Sequence, residues 1–109
     1  MANTYKVLGQ VLPAATTPTT LYTVPGATSA VCSTLNICNQ GSVAAIFRIA
    51  VQPAGATLVG KHYLAYDTSI QANDSIALTL GITLAATDLI SVQSDTGQVS
   101  FNLFGSELS

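Results

Sequence analysis

The stretch AVCSTLNICNQGSVAAIFRIAVQ, residues 30–52, decides the fold class. In its first half Val31, Ser33, Leu35 and Ile37 fall on one parity, and in its second half Phe47, Ile49 and Val51 share one face. Alternation with a period of two residues marks strands buried on one side. Between the halves lies Asn39-Gln40-Gly41-Ser42, whose Asn and Gly most readily supply the positive φ of a hairpin turn. The stretch is read as a β-hairpin at the centre of one sheet, with the rest of the chain covering and extending it.

Outward from that hairpin the same pattern repeats. Residues 5–12, YKVLGQVL, form a first strand with Gly9 at a bulge or a close approach, and 13–18, PAATTP, break it into a loop or an arm that reaches a neighbour. Residues 19–24 form a strand stopped by Pro25-Gly26; residues 57–67, TLVGKHYLAYD, form another after the break at 53–56. A turn at 71–74 leads into a strand over 75–80, a bend at 81–88 and a short strand over 89–94. In the last strand, 98–108, Val99, Phe101 and Leu103 lie on one face and Phe104 and Leu108 on the other, so it is expected to be central in its sheet or packed on a partner. About seven to nine short strands, with turn signals roughly every 8–12 residues and no amphipathic helix, predict an all-β fold. The expectation is a single-domain antiparallel β-sandwich over residues 1–109, jelly-roll-like, with a strand and an optional N-terminal arm in 1–18. A barrel is the alternative closure.

Charge is scarce. Three Lys and Arg against five Asp and Glu give a net charge of −2, and charged residues make up 7% of the chain against about 25% in ordinary soluble domains. Thr, Ser, Asn, Gln and Ala must cover most of the surface. Hydroxyls and amides that find a partner are far cheaper to desolvate than unpaired charges, which favours burial of that surface in an assembly. Lys6, Arg48 and Lys61 are scattered and leave no electrostatic footprint for nucleic acid. No charge occurs from Val7 to Phe47, yet polar residues, Pro and Gly interrupt every apolar run before the roughly 20 residues of a membrane span. The N-terminus lacks a convincing signal h-region, so synthesis in the cytoplasm without secretion is expected.

Cys32 and Cys38 fall in one predicted strand, roughly 20 Å apart at its usual rise, whereas a disulfide needs Cα atoms within about 7 Å. They are expected to be free thiols, both on the parity opposite Val31, Leu35 and Ile37. Asp67, Asp74, Asp88 and Asp95 sit at or near strand ends, where a calcium site is weighed against the commoner use of Asp as a turn former. His62 has no second histidine, and Arg48 reads as a solvated or ion-paired residue on an outer face. No carboxylate pair, nucleophile motif or phosphate-cradling loop stands out. A non-enzyme is therefore expected, with no catalytic, cofactor-binding or metal-binding residue assigned.

The segments MANTYKVLGQ, LYTVPGATSAVCSTLNICNQGS, FRIAVQPAG, KHYLAYD, LTLGITLAATDLISV and SFNLFGSEL together resemble a family of small tailed-bacteriophage virion structural proteins, common in cyanophages. The resemblance implies a structural component of the particle, made in the host cytoplasm. One placement is a head decoration or cement protein, a small β-domain, often trimeric, over junctions of the major capsid protein. The other is a tail, neck, baseplate or fibre module that binds other virion proteins or a host surface. For the first, the Thr/Ser-rich strand faces and residues 13–18 are the expected contacts. For a host glycan, Tyr22, Tyr63 and Tyr66 are the available platforms.

Overall fold

The computed structural model describes residues 3–109; Met1 and Ala2, which open the predicted 1–18 segment, lie outside them. Eight strands follow in order: β1 (Asn3–Val11), β2 (Thr19–Thr23), β3 (Ser29–Asn39), β4 (Ala45–Gln52), β5 (Tyr63–Ile70), β6 (Ser75–Leu84), β7 (Leu89–Ser94) and β8 (Val99–Leu108). They form two four-stranded antiparallel sheets, β1-β8-β3-β6 and β2-β7-β4-β5. Successive strands mostly alternate between the two layers, the connectivity of a jelly-roll-like sandwich. The fold class is the one that the alternation predicts.

The layers bury one face each against the other. Leu35, Ile37, Val99, Phe101 and Leu103 of the first sheet meet Phe47, Ile49, Ile90 and Val92 of the second, all essentially inaccessible to water. Phe47 and Phe101 pack edge to face across the layers, with ring centroids 6.3 Å apart. That geometry lets the positive ring edge meet the negative face.

Residues 30–52 are not a hairpin. β3 lies in the first sheet and β4 in the second, joined by an arch that crosses the core. The reason is edge occupancy. β3 is already flanked by β8 and β6 along its length, with Asn39 opposite Val99 and Cys38 opposite Ser75, and it has no free side for β4. Asn39 makes the corner. Fully buried, it donates Nδ2 to the carbonyls of Val43 (2.9 Å), Gln71 (3.2 Å) and Ile70 (3.4 Å), while its Oδ1 accepts the Gly41 N–H at 2.9 Å. One side chain thus satisfies the backbone of both the arch and the end of β5.

Three further expectations are corrected. The register of β3 slips between Cys32 and Thr34, so Ser33 is an extra residue and the parity reverses there. Cys32 is consequently buried among the core residues, whereas Val31 points outward and is 36% exposed. Both thiols are free, but they lie on opposite faces, and burial pushes the Cys32 thiol up to about 11. The predicted strand over 57–67 begins only at Tyr63, because 53–62 fold as two short 3-10 turns and a loop over the second sheet. Finally, β6 runs on through Gly81, which takes a positive φ of 60° at a bulge, and bends only after Leu84. The continued alternation of Ile82 and Leu84 with Leu80 accounts for that extension.

β8 does sit centrally, between β1 and β3. Gly9 meets both of its expectations, next to the register slip in β1 and against the Leu21 carbonyl, which a Cβ there would approach to 2.2 Å.

Candidate interaction surface

The bulges that reverse parity also create the most distinctive outer face. Leu8 in β1 and Ser33 in β3 are both extra residues relative to β8, on either side of Phe104: Leu8 falls between Leu103 and Phe104, and Ser33 between Phe104 and Gly105. A bulge bends its strand and re-aims the neighbouring side chains. Here it turns Leu8 and Cys32 into the core and leaves Tyr5, Val7, Val31 and Phe104 outside. The cross-strand pairs Val7 with Phe104, Tyr5 with Ser106 and Val31 with Ser106 confirm a common face. Tyr5 is 81% exposed and Val7 47%. Tyr5, Val31, Phe104, Ser33 and Ser106, with Lys6 at the border, line a shallow groove of about 470 Å³ across three adjacent strands. Its lining is aromatic and aliphatic with hydroxyls between and the ion-paired Lys6 beside them, suited to covering by another protein surface.

The close packing beneath this face depends on Gly105. A Cβ there would lie 2.1 Å from the Val31 carbonyl oxygen and 3.1 Å from Cys32 Cα. The β8–β3 pair can approach as it does only because position 105 carries no side chain.

At one end of the same sheet a polar tie joins the layers. Glu107 of β8 accepts the Tyr22 hydroxyl from β2 through Oε2 and pairs with Lys6 Nζ through Oε1 at 3.0 Å. The Tyr22 hydrogen bond, followed by that from Lys6, holds the Glu107 carboxyl below its ordinary value of 4.5. Burial first, then the neighbouring carboxylate, pushes the Tyr22 phenol upward. A carboxyl whose folded pKa is depressed contributes stability above its unfolded pKa and loses it as pH falls through the folded one. Stability should therefore decline as pH drops below about 4.5, and less steeply in Glu107→Gln. Urea midpoints at neutral pH and at successively more acid pH check this; equal acid slopes for the two proteins would exclude the tie as a contributor.

On the outer face of the second sheet Arg48 and Asp67 form a two-point ion pair, Nε to Oδ1 at 2.6 Å and Nη2 to Oδ2 at 3.2 Å. The pairing lowers the Asp67 pKa and raises that of Arg48. The guanidinium lies 4.0 Å from the ring centroid of Tyr66, and Tyr63 packs edge-on to Tyr66 at 4.9 Å. The sequence places Arg48 on an outer face, solvated or ion-paired, and the fold shows it there in an ion pair.

The other residues singled out in the sequence take structural roles. Asp74 Oδ1 accepts the Ser75 N–H, Asp95 Oδ1 accepts the Ile46 N–H, and Asp88 accepts from Ala54 and Ala85 through its two oxygens. These are turn and connection contacts, and with Asp67 on Arg48 each carboxylate already has a partner. His62 is buried and accepts the Val59 N–H on Nδ1 at 3.2 Å. Residues 13–18 are a loop and not an extended arm: Pro13 is buried, and Thr16 N donates to the Ser94 carbonyl at 2.7 Å. Of the three candidate platforms, Tyr22 is buried, and Tyr66 carries Arg48 against its ring. The outer patch was not legible as a unit, since its members come from positions 5, 7, 31 and 104 and only the bulged register brings them together. The one signal was Phe104, apolar on the face opposite Phe101 and Leu103.

Among the described residues no helix is long and apolar enough to cross a membrane. No family model matches the sequence. No curated protein matches it either. Among solved structures, the chain is similar to one from infectious bursal disease virus, Gx strain, with 12% identity and a TM-score of 0.55 over 97% of this chain and 32% of that one. Two crystal structures of a pentameric capsid protein isolated from metagenomic phage sequences align with 95% of this chain at 19% identity, with TM-scores of 0.37 and 0.35. The chain spans 63% and 64% of the length of those two, and about a third of the first. At 12% identity the likeness to the bursal disease virus chain is one of fold, and it extends over nearly the whole of this sequence.

Proposed function

We propose that this protein is a structural, non-enzymatic subunit of a bacteriophage particle, acting as a head decoration or cement protein on the major capsid protein. The observation that carries the reading is the groove formed by Tyr5, Val31 and Phe104 on the outer face of the first sheet. The fold shared with a protein of a virus particle supports it, and so does the sequence resemblance to virion structural proteins. The chain extends 45 × 27 × 19 Å, and its broad face is large enough for the roughly 800 Å² per partner of a standard interface. Tyr5 anchors such a contact well, because a tyrosine brings large area with few rotatable bonds and a polar tip. Around it the uncharged Ser and Thr side chains desolvate at little cost once paired.

The rival placement, a tail, neck, baseplate or fibre module on a host surface, needs an exposed aromatic platform. Of the tyrosines considered for it, Tyr22 is buried, Tyr63 packs edge-on against Tyr66, and Tyr66 carries Arg48 against its ring. The most exposed aromatic ring is that of Tyr5, in the groove itself, so the two placements compete for the same face. The test is immunogold microscopy of purified virions with an antibody against this chain, together with rebinding of purified protein to particles stripped of it. Label over heads, and rebinding lost in Tyr5→Glu, are the expected results. Label at the tail would replace decoration by the rival placement. No band for the chain in denatured virions would sink the virion reading itself.

A further inference from the structure

The four sheet edges are not alike. An unpaired edge strand offers a row of backbone N–H and C=O groups to any passing strand, and proteins blunt such edges with charges, bulges, prolines or brevity. β2 is only 5 residues long. β5 is broken by two register slips and by Asp67, which takes a positive φ of 52°. β1 carries the Leu8 bulge and Lys6. β6, by contrast, runs for 10 residues, SIALTLGITL, with neither a charge nor a proline. Its one irregularity is the bulge at Leu80 and Gly81, which leaves 75–79 as an uninterrupted strand. Among the described residues β6 pairs with β3 alone.

The sandwich is also open beside this edge. Ile76 pairs with Ile37 and Leu78 with Leu35, so these side chains face the core. Ile37 and Leu35 are completely buried, yet Ile76, Leu78, Leu80 and Ile82 are only half-buried. Across the gap β5 presents Ala65, Thr68 and Ile70 on its inward parity, opposite Ile49, Phe47 and Ala45; Ile70 is buried, but Thr68 is exposed. Beyond Ile70 the side chains of Ala65 and Thr68 are too small to close the layer, and an aliphatic row stays partly wet.

We infer that β6 is a self-association edge, which pairs antiparallel with β6 of a second copy of this chain about a two-fold axis at Ala77. The pairing is self-complementary: it sets Ser75 of one copy opposite Thr79 of the other and Ala77 opposite Ala77, with no like charges brought together. It would continue the first sheet from four strands to eight, satisfy the free backbone groups of 75–79 and cover the half-buried row of each copy with that of the other. The backbone ladder sets direction and register, while the aliphatic row supplies most of the area. A strand of mixed or single-sign charge would prefer a different partner; an uncharged one next to its own incomplete core fits its own copy. This two-fold contact departs from the threefold symmetry that the sequence resemblance implies. It goes beyond the virion reading and does not depend on it, since a chain that pairs in solution but is missing from particles would separate the two.

The test measures mass by light scattering at micromolar concentration, with far-UV circular dichroism to verify the fold. The wild-type chain should have the mass of two chains. Ala77 is exposed on the outer face, so Ala77→Lys and Ala77→Asp leave the folded subunit intact while placing like charges directly across the axis. Each variant should run at the mass of one chain, and an equimolar mixture should regain the mass of two. A wild-type mass of one, three or five chains, or a two-chain mass retained by either variant alone, would overturn the inference.

Discussion

Asn39→Ala is expected to lower unfolding free energy by about 3 kcal/mol, because several arch groups lose their buried partner at once and each unsatisfied group costs roughly 1–3 kcal/mol. The Gly41 N–H loses its acceptor, and the Val43 and Gln71 carbonyls lose a donor. In a domain of this size that is a fall in Tm on the order of 15 °C. Asn39→Asp separates the donor role from mere volume. It keeps the shape and the acceptor for Gly41, but sets a carboxylate against the carbonyls of Val43, Ile70 and Gln71. At neutral pH it should be at least as damaging as alanine. Urea denaturation of both variants decides the matter; an aspartate variant as stable as the parent would show that the three carbonyl contacts do not hold the arch.

Gly105→Ala should cost about 3 kcal/mol, at the upper end of the usual penalty for overpacking. The added methyl would sit 2.1 Å from the Val31 carbonyl, a backbone atom that can yield only if β3 and β8 separate. Gly26→Ala is the matched control. Nothing lies within 4 Å of its Cβ, so the substitution should be neutral or mildly stabilising, by up to about 1 kcal/mol through the unfolded chain. Because position 105 underlies the outer groove, the attachment to particles that we propose should also weaken in the alanine variant. Thermal melts of the two variants side by side provide the measurement, and equal melts would mean that the strand pair relaxes freely.

Local periodicity made the fold class legible. Phe47, Ile49 and Val51, and again Val99, Phe101 and Leu103, alternate without fault, and all point inward. What periodicity cannot carry is partnership. The alternation in β3 and β4 is the same whether the strands share a sheet or face each other across a core, and residues 40–44 suit either connection. Nor does it reveal a bulge: Ser33, a polar residue in the row Val31-Ser33-Leu35-Ile37, was the one mark that the row is not continuous. The polar tie shows the same limit, since Lys6, Tyr22 and Glu107 lie on three different strands and no local spacing relates them. Arg48 was readable because a lone charge between Phe47 and Ile49 has only the outer face to occupy.

The pairing of β1 with β8, Asn3 opposite Leu108, also sets the order in which the molecule can form. Among the described residues β1 has no ladder partner except β8, and β3 lacks one of its two flanks until β8 is made. During synthesis the first strand therefore waits for the last, and the central β3 remains half-paired beside an uncharged β6. Topologies dominated by such distant pairings fold over milliseconds to seconds, because loop closure must precede the contacts that reward it. The nascent chain thus spends its longest unprotected interval with an uncharged edge strand already exposed, and its folding yield should depend on how quickly β8 arrives.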